Sequence, residues 1–382
     1  MPIVETVPDA LAILQDACNS RQRGEQASGP PSMTGRGDDA SPAPLVLWQY
    51  RRQIMTDLAA VDSVDIQVLV DNVTDSLSSV LSFVETEFAG LGRRRGAAWV
   101  LGGGCLCCAA HGLSCLLTIR SGDKVHTVLF DTGPEDRTFE QNASRLGIDL
   151  GSIEAMVLSH GHWDHAGAML RALQLVRDRN GGRDVACYTH PDMFRSRAIK
   201  LADDSFRPME DVPSVAALQA NGGRVVSSRE AQTIAGDTVF VSGEIPRKSG
   251  FETGLPGQHR RTEDGKGWEP DEFLLDERFI AVNVRDKGLV VLTACSHAGV
   301  INVLTQARAC FPGVRLHAVL GGLHLSGINE RVIPQTVKAL HGFDLDVIAA
   351  GHCTGWRAMA ALANAFGDTK LAPLAVGKRL RF

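Results

Sequence analysis

Positive charge is in short supply. The 382 residues hold 39 Lys and Arg against 44 Asp and Glu, a formal net charge of -5. No overall basic field therefore points to nucleic acid or an acidic membrane surface as partner. The one basic cluster, Arg93-Arg94-Arg95, reads as a solvated loop between strands. A second C-x-x-C at zinc-ribbon distance from Cys105, Cys107 and Cys108 is missing, which makes these small buried thiols rather than a metal site. Nine cysteines are an odd count in a chain too long to need disulfide staples, and a reducing cytoplasm fits them. No basic n-region followed by an apolar h-region opens the chain, so no secretory signal is expected. No internal repeat of fixed period occurs. Residues 97–119 lack Asp, Glu, Lys and Arg over a length that would suit a membrane span. Gly102, Gly103, Gly104 and Gly112 would weaken a helix there, His111 sits inside it, and its flanks read as strands of a soluble sheet. No membrane span is expected.

What is present is an ordinary globular composition, 44% apolar and 22% charged, in a chain long enough for a large core. Residues 1–62 read as an extension. Residues 19–44 are rich in Gly, Ser, Pro, Asp and Arg and should be disordered, with short helices flanking them at 9–18 and 48–60. From residue 63 the texture changes to alternating and then continuous apolar strands, with a hairpin of 113–120 and 125–130 across Ser121-Gly122-Asp123-Lys124. Helices are expected at 139–146 and 166–179, and a short buried strand at 155–159. Further strands are expected at 185–188, 238–242, 280–284, 289–293, 316–320 and 347–350. Mixed sheets with helices on their outer faces describe an α/β/β/α sandwich over 63–382.

Four of these strands end in a histidine-bearing loop. Met156-Val157-Leu158-Ser159 runs into His160-Gly161-His162-Trp163-Asp164-His165. Val290 to Ala294 runs into Cys295-Ser296-His297, Ala318-Val319-Leu320 into Gly321-Gly322-Leu323-His324, and Val347 to Gly351 into His352-Cys353-Thr354-Gly355. One histidine in a loop is more often structural than a ligand, but four at the carboxyl ends of strands point to a site. Alternate residues of an extended segment point the same way, so His160 and His162 can share a metal. Gly161 lets the backbone turn tightly between them. Asp164 and His165, at a helix entry, face a second metal position. Imidazoles with a carboxylate suit zinc, one or two ions, with iron or manganese possible.

His160-Gly161-His162-Trp163-Asp164-His165 resembles the H-x-H-x-D-H signature of the metallo-β-lactamase superfamily, and Phe130-Asp131-Thr132-Gly133 its F-D-T-G turn. Six further segments are similar to the branch of 7,8-dihydropterin-6-methyl-4-(β-D-ribofuranosyl)-aminobenzene-5′-phosphate synthase-like proteins. They are Asp71-Asn72, His111-Gly112-Leu113-Ser114, Gly243-Glu244-Ile245-Pro246-Arg247, Cys295-Ser296-His297-Ala298-Gly299, Gly321-Gly322-Leu323-His324-Leu325 and His352-Cys353-Thr354-Gly355. The resemblance covers residues 63–382. It implies that Asp131 supports the ligands by hydrogen bonding rather than binding metal. Two departures stand out. Ser242-Gly243-Glu244 replaces the usual P-G-H turn, and Thr293-Ala294-Cys295 the T-G-D turn whose aspartate bridges the metals. His297 is expected to supply the missing imidazole, with Glu244 as its rival, and Cys295 to stand behind the ligands. His352 completes the expected metal set of His160, His162, Asp164, His165 and His297.

A metal with an open position lowers the pKa of bound water from 15.7 towards about 7 and polarises a carbonyl or phosphoryl oxygen. The expected function is therefore a metal-dependent hydrolase using a metal-bound hydroxide on a small-molecule ester, lactone or phosphoester. Asp164 would orient that hydroxide and accept its proton, and His324 would contact substrate or transfer a proton. The alternatives are a transferase joining a dihydropterin diphosphate to an arylamine, and a non-catalytic metal-binding sensor. A homo-oligomer is compatible with this reading. His190 reads as structural or supporting, and His126, His259, His317 and His341 as background.

Overall fold

The structure is a computed structural model that describes residues 58–96 and 100–382. The segment expected to be disordered, and the helices expected at 9–18 and over most of 48–60, lie outside the described residues. Ala60–Val61 is the first described strand.

Alternation along the strands decides the architecture. On Ser63–Val70, the side chains of Val64, Ile66 and Val68 share one face and Leu69 takes the other. The same period of two separates Cys115, Leu117 and Ile119 from Leu116, and Val128 and Phe130 from Leu129. In the second half Ile280, Val282 and Val284 face away from Ala281, and Val290 and Leu292 away from Leu289 and Val291. The first set from each half meets in one central core between two sheets. The second sets need cover from helices. Asp136–Leu146, Met169–Arg179 and Val215–Ala220 supply it on one side, Val300–Cys310, Ile333–Leu340 and Trp356–Lys370 on the other. The α/β/β/α sandwich is thus observed.

One sheet has eight strands, in the order Gly223–Ser227, Val185–Thr189, Ala155–Val157, Lys124–Phe130, Ser114–Ser121, Ser63–Val70, Arg379–Arg381 and Val84–Glu85. The other has seven, running Gln232–Ile234, Val239–Val241, Ile280–Val284, Gly288–Thr293, Leu316–Gly322 and Val347–Gly351, with Ala60–Val61 beside Ile280–Val284. Lys124–Phe130, Ala155–Val157 and Val185–Thr189 are parallel neighbours. So are Gly288–Thr293, Leu316–Gly322 and Val347–Gly351. Parallel pairing brings their carboxyl ends to one edge in each sheet. That edge carries the histidines.

Of the three clustered cysteines expected to be buried only Cys107 is, Cys105 being half-buried and Cys108 exposed, and three further features differ from the expectation. Arg93, Arg94 and Arg95 are not a loop but the last turn of the helix Glu87–Arg95, where positive charge meets the negative end of the helix dipole. The helix expected over 166–179 is two, Trp163–Ala166 and Met169–Arg179. Between them Gly167 lies so close to the Pro134 carbonyl that any side chain there would collide with it. The third is an unanticipated four-stranded sheet of Trp268–Pro270, Gln258–Arg261, Arg197–Lys200 and Phe206–Pro208. No helix among the described residues is long and apolar enough to cross a membrane.

Candidate metal centre

The strand Ala155–Val157 delivers His160 and His162 on the turn that follows it, and the short helix Trp163–Ala166 delivers Asp164 and His165. The other sheet delivers Cys295 and His297 after Gly288–Thr293, His324 after Leu316–Gly322 and His352 after Val347–Gly351. All of these are buried except His324, which is partly so. The backbone is bent to achieve this. Asp131, Ser296, His324 and His352 all have positive φ, 58°, 59°, 41° and 47°, a conformation that costs a non-glycine residue about 1–3 kcal/mol and clusters at functional sites. Gly161 turns between the two histidines with the Arg197 guanidinium and Met193 backbone against it, so that even a methyl group would collide there. Close approach, more than turn geometry, requires this glycine.

Two groups of donor atoms result. His160, His162 and His297 form one, with His160 Nε2 3.0 Å from His162 Nδ1 and 3.2 Å from His297 Nε2. Asp164, His165 and His352 form the other, with Asp164 Oδ2 3.6 Å from His165 Nε2 and 3.5 Å from His352 Nε2. The six residues expected to hold metal are thus brought together. Cys295, expected behind them, stands level with them, its Sγ 3.2 Å from both His165 Nε2 and His352 Nε2. It also closes groups with His160 and His165, with His297 and His324, and with His352 and Cys353. The strand simply ends with Cys295 facing the gap between the two halves. Glu244 is not brought in. Its carboxylate meets His190 Nε2 at 3.3 Å and Arg229 at 3.0 Å, and it belongs to no donor group among the described residues.

The far nitrogens of three rings, His160, His165 and His352, are held in a way that suits a cation among the near ones. Asp131 Oδ2 lies 2.7 Å from His165 Nδ1, so that nitrogen carries the proton and Nε2 presents a lone pair. The Ser159 hydroxyl donates to the same carboxylate at 2.7 Å and is left to accept from His160 Nδ1 at 2.9 Å. Asn72 Oδ1 is 3.0 Å from His352 Nδ1. Asp131 thus has the supporting position that the resemblance implies. Lone pairs aimed at one another across about 3 Å repel unless a cation lies among them.

Electrostatics agree. Burial first, then the crowding of the rings, holds His160 and His297 well below the ordinary histidine range, and burial puts His162 at about 4. These rings are neutral, as ligands must be. Burial opposes charge on His165 too, but the Asp164 and Asp131 carboxylates outweigh it and raise its pKa to about 9. A cation at Nε2 answers the same two carboxylates in the proton's place. Burial works against the Asp164 carboxylate, yet His165, His352 and His162 together keep it below its usual value.

Several contributors had no recognisable signal of their own. Asn72 also receives the Gly112 N–H at 3.0 Å and touches His111 Nδ1 at 3.1 Å. Asp71 accepts the His352 N–H at 3.0 Å, burial pushing its carboxyl up to about 6. Gln258 Oε1 is 2.8 Å from His162 Nε2. The segments Asp71-Asn72 and His111–Ser114 stood out only through the resemblance. Gln258 stood out not at all. His111 is largely exposed and stands 3.5 Å from Asp164 Oδ2, which marks the solvent side of the centre. A cavity of about 630 Å³ lies between the helices Asp136–Leu146 and Met169–Arg179 and holds none of these donors.

The comparisons with known proteins agree with this geometry. Residues 119–197 match the family model of the metallo-β-lactamase superfamily. Over 256 residues the chain is 28% identical to the 7,8-dihydropterin-6-methyl-4-(β-D-ribofuranosyl)-aminobenzene-5′-phosphate synthase of Methanocaldococcus jannaschii, covering 65% of this chain and 82% of that protein. An uncharacterised protein of the same organism is also 28% identical, over 67% of this chain and 88% of its own length. A crystal structure of a metal-dependent hydrolase of the β-lactamase superfamily superposes with a TM-score of 0.60 at 24% identity, over 83% of this chain and 98% of that one. The chain has the metallo-β-lactamase fold, and its sequence resembles the dihydropterin-linked synthase branch of that superfamily.

Proposed function

We propose that this protein is a metal-dependent hydrolase acting on a small-molecule ester, lactone or phosphoester. The observation that carries the reading is the convergence of five histidine rings and one carboxylate on a buried centre whose solvent side is marked by the exposed His111. His160, His162 and His297 would hold one ion, and Asp164, His165 and His352 a second, with Cys295 between them. Thiolate and imidazole donors favour zinc or iron over manganese. A cation so held supplies Lewis acidity toward a carbonyl or phosphoryl oxygen and acidifies nearby water.

The chain's own groups then divide the work. Asp164, kept ionised by the rings around it, accepts a hydrogen bond from the attacking water and orients it. His324 stands with its ring 4.3 Å from that of His297. Burial opposes its charged form, but Cys353, Glu277 and Asp164 raise its pKa above the ordinary value, which suits a proton donor to a leaving group. Asn72 links His352 to His111 and steadies the exposed side.

The likeness to a synthase favours a second reading, transfer of a dihydropterin diphosphate to an arylamine. One experiment addresses both. Zinc-loaded protein is offered ester, lactone and phosphodiester panels and, separately, a dihydropterin diphosphate with an arylamine. Hydrolysis that a chelator abolishes, that zinc restores and that His160→Ala lowers at least a hundredfold is the expected result. Condensation without hydrolysis would select the transferase. Elemental analysis finding no metal, with no uptake on reconstitution, would defeat both.

A further inference from the structure

We infer that Gln258 is a positioning residue for the metal centre, fixing which nitrogen of His162 faces the cation; this rests on the metal-binding reading above. Gln258 is fully buried at the start of the strand Gln258–Arg261, in the small sheet that lies outside the two main ones. Its amide has two distinguishable ends. The Nε2 end is 3.4 Å from Asp271 Oδ2, an oxygen that also accepts from Arg197 Nε at 3.1 Å. The Oε1 end is 2.8 Å from His162 Nε2. Turning the amide over would set oxygen against the Asp271 carboxylate, so the contact with Asp271 selects the orientation.

A carbonyl oxygen has no hydrogen to give. His162 Nε2 must therefore carry the ring proton, which leaves Nδ1 bare and pointing at His160 Nε2, 3.0 Å away. Arg197, from the partner strand Arg197–Lys200, grips the same turn through its backbone. Its guanidinium donates to Gly161 O at 2.6 Å and to Asp276 Oδ1 at 2.7 Å, while Asp276 Oδ2 accepts the Gly161 N–H at 2.8 Å. The small sheet thus holds both the backbone of the His160-Gly161-His162 turn and the tautomer of its second ring. A hydrogen-bond partner of this kind typically changes metal affinity by about 10–100-fold.

The test has a readout that needs no substrate. In metal-free parent protein with nitrogen-15 in its histidine rings, the His162 resonances, assigned by their loss in His162→Ala, should show the proton on Nε2. Zinc affinity is then measured by competition with a chromophoric chelator. Gln258→Met, which has no acceptor, should bind one of the ions about 10–100-fold more weakly. Gln258→Glu combined with Asp271→Asn keeps an oxygen against Nε2, exchanges the places of amide and carboxylate so that no two carboxylates meet, and should stay close to the parent. A proton found on Nδ1 in the parent, or equal zinc affinity in the two variants, overturns the proposal. A parent that takes up no zinc brings down the metal reading and this proposal together. Zinc binding by the parent with no difference between variants brings down this one alone.

Discussion

Cys295 occupies the position with the largest chemical consequence. Its Sγ sits 3.2 Å from the Nε2 atoms of His165 and His352, and burial pushes its thiol well up. A thiol there is either a proton donor to one of the rings or, when metal binds, a thiolate ligand. Cobalt substitution separates the two. The loaded parent should show the intense near-ultraviolet thiolate charge-transfer band, and Cys295→Ser should lose it while still binding cobalt through imidazole and carboxylate. A parent without the band would put Cys295 outside the ligand set. At this scale the sequence was legible where donors are contiguous, as in His160 to His165. It was silent where a contact joins distant segments. Gln258 is 96 residues from His162, and Asn72 is 280 from His352. Glu244, the rival to His297, is the opposite case. It stands where a comparison of turns asks for a ligand, but Arg229 and His190 claim its carboxylate first.

Among the elements, the helix Val300–Cys310 has the most instructive start. Its N-cap is Gly299, which has no side chain to satisfy the first N–H groups. Glu252 reaches in from another loop instead, accepting from Ile301 N at 2.8 Å and Asn302 N at 2.9 Å. Burial is the main influence on this carboxyl and raises it from 4.5 to about 7, against the two hydrogen bonds. The folded chain therefore holds a proton here that the unfolded chain gives up, so stability falls as pH rises from about 4.5 to about 7. By linkage the fall is about 3 kcal/mol, complete above pH 7 and absent below 4.5. Glu252→Gln keeps an acceptor and removes the titration. In denaturant unfolding with chelator present, the parent should lose that much relative to the variant between pH 4.5 and 8; parallel curves would rule the assignment out. No local pattern announced this cap, since the acceptor lies 49 residues before its donor. Nor did the small sheet announce itself. Its strands are three or four residues long and rich in Arg, without the apolar alternation that marked the long strands.

For the whole molecule the question is what the extension contributes. The sandwich was legible because strands such as Ser63–Val70 and Gly288–Thr293 are buried on both faces, a pattern that demands two sheets and outer helices. Among the described residues the buried members of its three apolar clusters begin at Val61, with Leu58 packed against one of them. The donors of the metal centre, from His160 to His352, also lie wholly inside this frame. Residues 1–44, by contrast, contain the stretch 19–44 with almost nothing apolar to bury. Deleting 1–44 should therefore leave metal content unchanged and the melting temperature nearly so, because a stretch with so little apolar surface adds little to a buried core. Elemental analysis and a thermal melt of the shortened chain, beside the full one, measure both. Precipitation or loss of metal on deletion would show instead that these residues cover a sheet edge or a surface of the centre. The strand Ala60–Val61, which borders Ile280–Val284, would be the first place to look.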